Sequence, residues 1–406
     1  MTVLDATDLR GQFPVLADES IAYLDSAATA QTALPVIDAM DAYYREYRAS
    51  IHRGVYALAT RATDAYEAAR ATVAALVNST PAETIFTRNA TEAINLVAYS
   101  WGGANLRSGD LVVVTEMEHH SNVVSWQLAC QRAGAELAYV RITDDGRLDL
   151  DHLDELLERK PKLVGVVHAS NVVGTINPVA EVVARAHRAG AVTMVDGSQA
   201  VPHLPVDVKA LDADFYAWTG HKLYGPTGIG VLHGKRELLD AMPPFIGGGH
   251  MIAKVGEQTS TYAETPAKFE AGTGSIAEAI GLAAACDFFT GIGADAIREH
   301  DVAIGAYALE ALAGVPGIKV HGPAGMDDRV ALASFEIEGV HPHDVAEIIG
   351  SRGVCVRAGH HCAQPLMRRL GSPASTRASF AIHSTPDEVD RLVDGLHRVR
   401  EVFELD

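Results

Sequence analysis

From about residue 60 to residue 235, short apolar runs alternate with segments of helical period. No other feature narrows the possible folds as much. The runs are "TIFT" (84–87), "LVVVT" (111–115), "LAYVRI" (137–142), "LVGVVHAS" (163–170), "VTMVDG" (192–197), "DFYAW" (214–218) and "GIGVLHG" (228–234). Several are β-branched and unbroken, as in strands covered on both faces. Ahead of them, Asp64 stands where it can cap a helix, with Glu67 at the capping-box position. Tyr66, Ala69, Val73, Leu76 and Val77 then recur at helical spacing. Strands alternating with helices predict a mainly parallel sheet in an α/β domain.

The last third reads differently. A helical segment is expected around 290–315, strands around 330–338 and 375–382, and a final helix opening at Thr385-Pro386 with Glu388 completing a capping box. At 406 residues the chain suits two domains. The expected division is a large domain over 20–293, and a smaller α+β domain made of 1–19 and 294–406.

A net charge of -19 repels nucleic-acid phosphates and anionic membranes, so neither is expected as a partner. No apolar run reaches the ~18 residues of a membrane helix. The opening "MTVLDATDLRGQFPVL" lacks a basic region before an apolar core, so no signal peptide is expected. Cys130, Cys286, Cys355 and Cys362 show no CxxC spacing and are too sparse for a disulfide scaffold. Free thiols in a reducing cytoplasm are the expectation. His119, His120, His360, His361 and Cys362 are candidate metal ligands by type, but adjacent histidines seldom face one ion and HExxH is missing, so no metal is expected.

In open α/β sheets, ligands bind beyond the carboxyl ends of the strands. After "TIFT", Asn89 can cap a helix with Glu92 at its third position. The free N–H groups of such a start suit a phosphate, although the stretch alone reads as an ordinary capped helix. After "LVVVT" stand His119 and His120, after "VVHAS" Asn171, at the end of "VTMVD" Asp196 and then Gln199, and after "FYAW" Thr219, His221 and Lys222. Singly each is an ordinary hydrogen-bonded residue. Together they place an anion site, an aromatic base, an acid and a lysine at one sheet edge. A phosphate asks for helix-start N–H groups with Thr219 and His221; a protonated ring nitrogen asks for Asp196. A flat ring asks for a stacking imidazole such as His120, and an aldehyde asks for the amine of Lys222. Pyridoxal 5'-phosphate (PLP) combines these features, and a lysine imine with an acidic partner for the ring nitrogen is its usual binding signature.

In "CVRAGHHCAQPL" (355–366), Cys362 follows Arg357, His360 and His361. Neighbouring cations raise a thiolate fraction, so Cys362 is expected to be reactive, with Arg357 beside the substrate, while the other thiols are inert. Arg377 in "TRASF" can hold a carboxylate through two parallel hydrogen bonds. "FEAGTGS" (269–275) is a Gly-rich turn, a weak phosphate signal by itself.

With these residues placed, the chain resembles the SUF-type (group II) cysteine desulfurases of the class V aminotransferase family, a group that includes selenocysteine lyases. The resemblance rests on "AYLDSAATAQ", "HRGVY", "MEHHSN", "HASNVVGT", "VDGSQAVPH", "DFYAWTGHKLYGPTGIG" and "RAGHHCA". It implies a fold type I PLP homodimer that converts L-cysteine to L-alanine and passes sulfur to Cys362 as a persulfide. A SUF acceptor protein would then take the sulfur for iron–sulfur cluster assembly. By motif position Lys222 resembles the cofactor lysine, and His120 the stacking histidine that also moves protons. Asp196 would pair with the ring nitrogen and Gln199 with the ring oxygen. Thr91, Thr219 and His221 would hold the phosphate, and Thr273 would reach the phosphate in the partner subunit. Asn171 and Arg377 would hold the substrate carboxylate. Ala90 stands where relatives often carry a second threonine, and His250 in "GGGHMI" is an extra imidazole without an assigned role. A selenocysteine lyase acting on L-selenocysteine, a class V enzyme acting on another amino acid, and a silent scaffold for a sulfur carrier are the alternatives.

Overall fold

The computed structural model describes residues 4–405, so the expected domain limits at 1 and 406 lie outside the described residues. Strands β1 (Thr84–Thr87), β2 (Leu111–Thr115), β3 (Glu136–Val140), β4 (Leu163–Val167), β5 (Val192–Asp196), β6 (Phe215–Thr219) and β7 (Gly230–Gly234) form one sheet, ordered β1-β7-β6-β5-β4-β2-β3. The pairs β2–β3, β2–β4, β4–β5 and β5–β6 are parallel. Only β7 runs against its neighbours, β6 and β1. The carboxyl ends of β1, β2, β4, β5 and β6 therefore meet at one edge.

The unbroken apolar runs are explained by burial on both faces. Val112, Val114, Met194, Phe215 and Leu232 pack with Ile94, Val97 and Trp101 of helix α2 (Ala90–Asn105) and Trp126 of α3 (His120–Ala133). Their neighbours Val113, Val195, Tyr216, Trp218 and Val231 point the other way, into a core shared with Tyr66 and Val73 from the helix Ala57–Leu76 and Leu282 from the helix Ile276–Ile292. Side chains alternate along a strand, so one apolar run serves two layers. The first of those helices begins at Ala57, which places Asp64 inside it and not at its cap. Apolar packing along the whole segment, from Ala59 and Ala62 onward, extends the helix past the local capping signal.

Strands β8 (Ile318–Val320), β9 (Leu332–Ile337), β10 (Arg357–Gly359) and β11 (Ser375–Ser379) form an antiparallel sheet ordered β8-β9-β11-β10. It shares a core with the helices Ala294–Ala313 and Pro386–Val402. The last helix starts with the expected capping box between Thr385 and Glu388. The N-terminal arm does not follow a split at residue 19. Phe13 and Leu16 pack into the core of the large sheet, whereas Ala22 and Leu24 belong to the core of the small one. Ala22–Tyr23 pairs in parallel with Val354–Cys355, which draws the chain across the molecule before the large sheet begins.

Candidate active site

A cavity opens at the shared carboxyl edge. Its lining includes Asn89, Ala90, Thr91, His119, Asn171, Asp196, Gln199, Thr219, His221, Lys222, Arg357, Cys362 and Arg377. All but two of the site residues expected from the sequence are here; His120 and Thr273 are not.

At one end lies the start of α2. Asn89 caps it by accepting the Glu92 N–H at 2.9 Å, which leaves the first-turn N–H groups of Ala90 and Thr91 without intrahelical acceptors. A Cβ at Gly230 would stand 2.3 Å from the carbonyl carbon of Asn89, so only glycine lets β7 pass under this helix start. Ala90 offers no hydroxyl; what it presents to an anion is its backbone. His221 sits opposite, with Nδ1 3.2 Å from the Thr29 hydroxyl. Burial, and then the charge of Lys222, push its pKa to about 4, so its ring is neutral at pH 7.

Asp196 ends β5, buried. Its Oδ1 accepts the Ser198 N–H at 3.0 Å. The turn that follows depends on Gly197, where a Cβ would meet the Tyr216 ring at 2.1 Å. Gln199 spends one N–H on the Ala27 carbonyl at 2.7 Å. Lys222 closes the short turn Gly220–Lys222 after β6. Burial, opposed by Asp196 and reinforced by Arg377 and Arg357, lowers its pKa to about 8. About a tenth of such an amine is neutral at pH 7, far more than of an ordinary lysine.

The ring that lines the cavity is His119, not the expected His120. His119 is the N-cap of α3: its Nδ1 accepts the Ser121 N–H at 3.1 Å and lies 2.8 Å from the Ser121 hydroxyl. An accepting Nδ1 assigns the proton to Nε2. Burial, and then Lys222, bring its pKa to about 4, which keeps the ring neutral. His120, one residue on, has turned with the helix: its Nε2 accepts the Gln364 N–H at 3.0 Å. A step of about 100° per helical residue separates the two directions.

Behind His119 lies Glu118, which the sequence did not suggest. It is fully buried, and accepts from Thr115 at 2.6 Å, Val167 N at 2.7 Å and Asn122 at 2.8 Å. It ties the ends of β2 and β4 to α3.

Cys362 sits on a loop in which it and His361 both have positive φ, 57° and 50°. For residues with a Cβ this conformation is costly. Asn171 donates its side-chain N–H to the His361 carbonyl at 2.6 Å and leaves its Oδ1 buried without a partner among the described residues. Arg357 and Arg377 pair directly across β10 and β11, and both line the cavity. Like charges opposite one another on one sheet face repel. Asp25, another residue the sequence reading missed, offsets this pair by accepting from Arg377 at 3.1 Å; only its place in the "AYLDSAATAQ" stretch hinted at it. Arg377 also donates to the Asn171 carbonyl at 2.9 Å, yet its buried Nε has no partner among the described residues. Two cations and an orphaned donor describe a site for an anion such as a carboxylate.

Thr273 lies elsewhere, in a second cavity with His52, Arg53, Tyr66, His250 and Glu270. There His250 stacks on His52 with ring centroids 4.4 Å apart.

The donor set fits PLP. Free helix-start N–H groups suit the phosphate, the buried Asp196 carboxylate suits a protonated ring nitrogen, and a partly neutral Lys222 amine suits the aldehyde.

The model of the aminotransferase class-V family matches residues 22–392. The chain is 49% identical to a probable cysteine desulfurase of Streptomyces coelicolor, over 99% of this chain and 98% of that one. It is 48% identical to the cysteine desulfurase of Haloferax volcanii, over 94% and 90%. Among solved structures, the cysteine desulfurase CsdA of Escherichia coli superposes with a TM-score of 0.91 at 39% identity, covering 99% of this chain and 100% of that one. The apo cysteine desulfurase of Thermococcus onnurineus NA1 gives 0.94 at 37% identity, covering 99% of each.

Proposed function

The chain belongs to the class V aminotransferase family and groups with its cysteine desulfurases, and from that premise we propose how its residues do the work. It is a PLP-dependent enzyme that converts L-cysteine to L-alanine and moves the sulfur onto its own thiol. PLP, when bound, supplies an aldehyde for the substrate amine and a ring that accepts the electron pair left on Cα. The α2 start, with Thr91, Thr219 and His221, holds the phosphate; Asp196 holds the ring nitrogen, Gln199 the ring oxygen, and His119 covers the ring face.

Arg377 binds the substrate carboxylate through its Nε edge, with Arg357 adding charge and Asn171 closing the site from the turn after β4. Lys222, once its amine is released, takes the Cα proton and hands it back to Cα before alanine leaves. The Cys362 thiolate forms an S–S bond to the substrate sulfur as the C–S bond breaks and leaves its electron pair on Cβ. Cβ takes a proton, relayed by Nε2 of His119, and becomes the alanine methyl. The net change is cysteine plus thiol to alanine plus persulfide. The observation that carries this reading is the meeting of Lys222, Asp196, Cys362 and Arg377 in one cavity.

We also infer a SUF-type enzyme that hands its persulfide to an acceptor protein of that system in the cytoplasm, for iron–sulfur cluster assembly. Four unpaired cysteines suit that compartment. The large domain carries the cofactor residues and the part after Gly293 carries the Cys362 loop. A homodimer is supported by the exposed apolar side chains of Val55, which is 99% exposed, Tyr56, Leu58 and Tyr44. Thr273, away from the main cavity, would then serve the partner's phosphate.

Mass spectrometry after exposure to cysteine tests the central reading. One added sulfur on Cys362 and stoichiometric alanine are expected. Cysteine turnover that survives Cys362→Ser would overturn it.

A further inference from the structure

His120 grips the Cys362 loop twice. Its backbone N–H donates to the Cys362 carbonyl at 2.7 Å, and its ring Nε2 accepts the Gln364 N–H at 3.0 Å. One bond holds the thiol residue's own carbonyl and the other holds the chain two residues beyond it. Together they hold a turn whose two central residues are strained, since His361 and Cys362 both lie in the left-handed region where a Cβ is disfavoured. The other restraints include the turn's own bond from the Ala363 N–H to the His360 carbonyl at 3.0 Å, Asn171 on the His361 carbonyl, and the His361 ring on Ser375 at 3.0 Å. The ring of His120 therefore spends its acceptor on the thiol loop and lies outside the cavity lining.

We propose that His120 is a positioning residue for Cys362: it latches the thiol loop, in its strained conformation, onto the first turn of α3. The latch rests on the reading of Cys362 as sulfur acceptor. It gives the second histidine of "MEHHSN" a task different from that of the first. His119 faces the cofactor cavity, and His120 fixes where the thiol stands relative to it. Both bonds start from one helix turn, so the cavity ring and the nucleophile share one rigid mount.

The ring bond can be removed without touching the backbone one. In PLP-loaded His120→Ala, alkylation of Cys362 by iodoacetamide should rise by about two- to tenfold, the factor expected for one neutral hydrogen bond. Cys355, followed in the same peptide map, should not change. The kcat for alanine formation should fall by a similar factor, with KM and the visible absorption band unaltered. His120→Gln, which keeps an acceptor at the end of its side chain, should restore both the alkylation rate and kcat. An unchanged alkylation rate in His120→Ala overturns the latch, and so does a shifted absorption band with normal alkylation, which would place this ring on the cofactor. Failure of the sulfur-acceptor reading shows separately, as cysteine turnover by Cys362→Ser, and leaves the alkylation result standing.

Discussion

Arg377 and Asp25 meet at 3.1 Å, and their pairing leaves one nitrogen of the arginine, Nε, to spare among the described residues. Arg377 is buried, and its two terminal nitrogens each donate once, to Asp25 and the Asn171 carbonyl, while Nε has no partner among the described residues. A carboxylate that takes the Nε edge satisfies the orphan and separates two facing arginines. Lysine keeps the charge but not the fork. Arg377→Lys should therefore raise KM for cysteine by about ten- to a hundredfold, the range of one lost charge-assisted bond. The visible spectrum of the loaded enzyme should be unchanged. Steady-state kinetics check this, and a normal KM would remove Arg377 from substrate binding.

Loading of the apo-protein reports on Lys222. Its pKa is lowered to about 8, chiefly by burial. Only the neutral amine attacks an aldehyde, so the rate of covalent attachment should climb with pH and level off above about 8. An unperturbed lysine would keep climbing toward its ordinary value of 10.5. Stopped-flow absorbance across pH 6 to 10 distinguishes the two curves. Lys222→Ala should show no borohydride-stable attachment at all.

Much of this site could be read from sequence because its residues follow strand ends. Asp196, Thr219 and Lys222 each come at or just after an apolar run, and strand periodicity locates those runs well. What escaped depends on direction or on distance along the chain. Which of His119 and His120 faces the cavity is decided by where α3 begins, and a boundary shift of one residue exchanges them. Asp25 meets Arg377 across 352 residues, and no local pattern encodes that contact. The same holds for the arm, whose Phe13 and Ala22 enter different cores. Strand β7 carries the apolar signature of its parallel neighbours but runs against them, and sequence composition does not record direction.

The two histidines should separate in their spectra. His119 is neutral, with Nε2 assigned the proton on the cavity side, so its loss removes both ring contact and proton relay. His119→Ala should shift the visible band of the loaded enzyme and lower kcat by about a hundredfold or more, the usual span for a general acid–base group. His120→Ala should leave the band in place. A band unmoved in His119→Ala would count against ring contact by this residue.

Glu118 gives the protein a pH-dependent stability term whose sign can be worked out. Burial raises its pKa from 4.5 to about 7, despite stabilising bonds from Thr115, Asn122 and Val167. The folded state thus holds more protons than the unfolded state between these values. Stability from this group is fully present below pH 4.5 and is lost as pH rises through 7, by at most about 3 kcal/mol. Glu118→Gln has no such term. It also carries a cost at every pH: Trp126 donates to Asn122 Oδ1 at 3.0 Å and so fixes the Asn122 N–H toward position 118, where an amide cannot accept on both sides. The variant should therefore be less stable throughout, with its deficit largest near pH 4.5 and shrinking as pH passes 7. Unfolding curves of the two proteins at pH 4.5, 6 and 7.5 measure that gap. A deficit constant across the three would mean that Glu118 is ionised in the fold over the whole range.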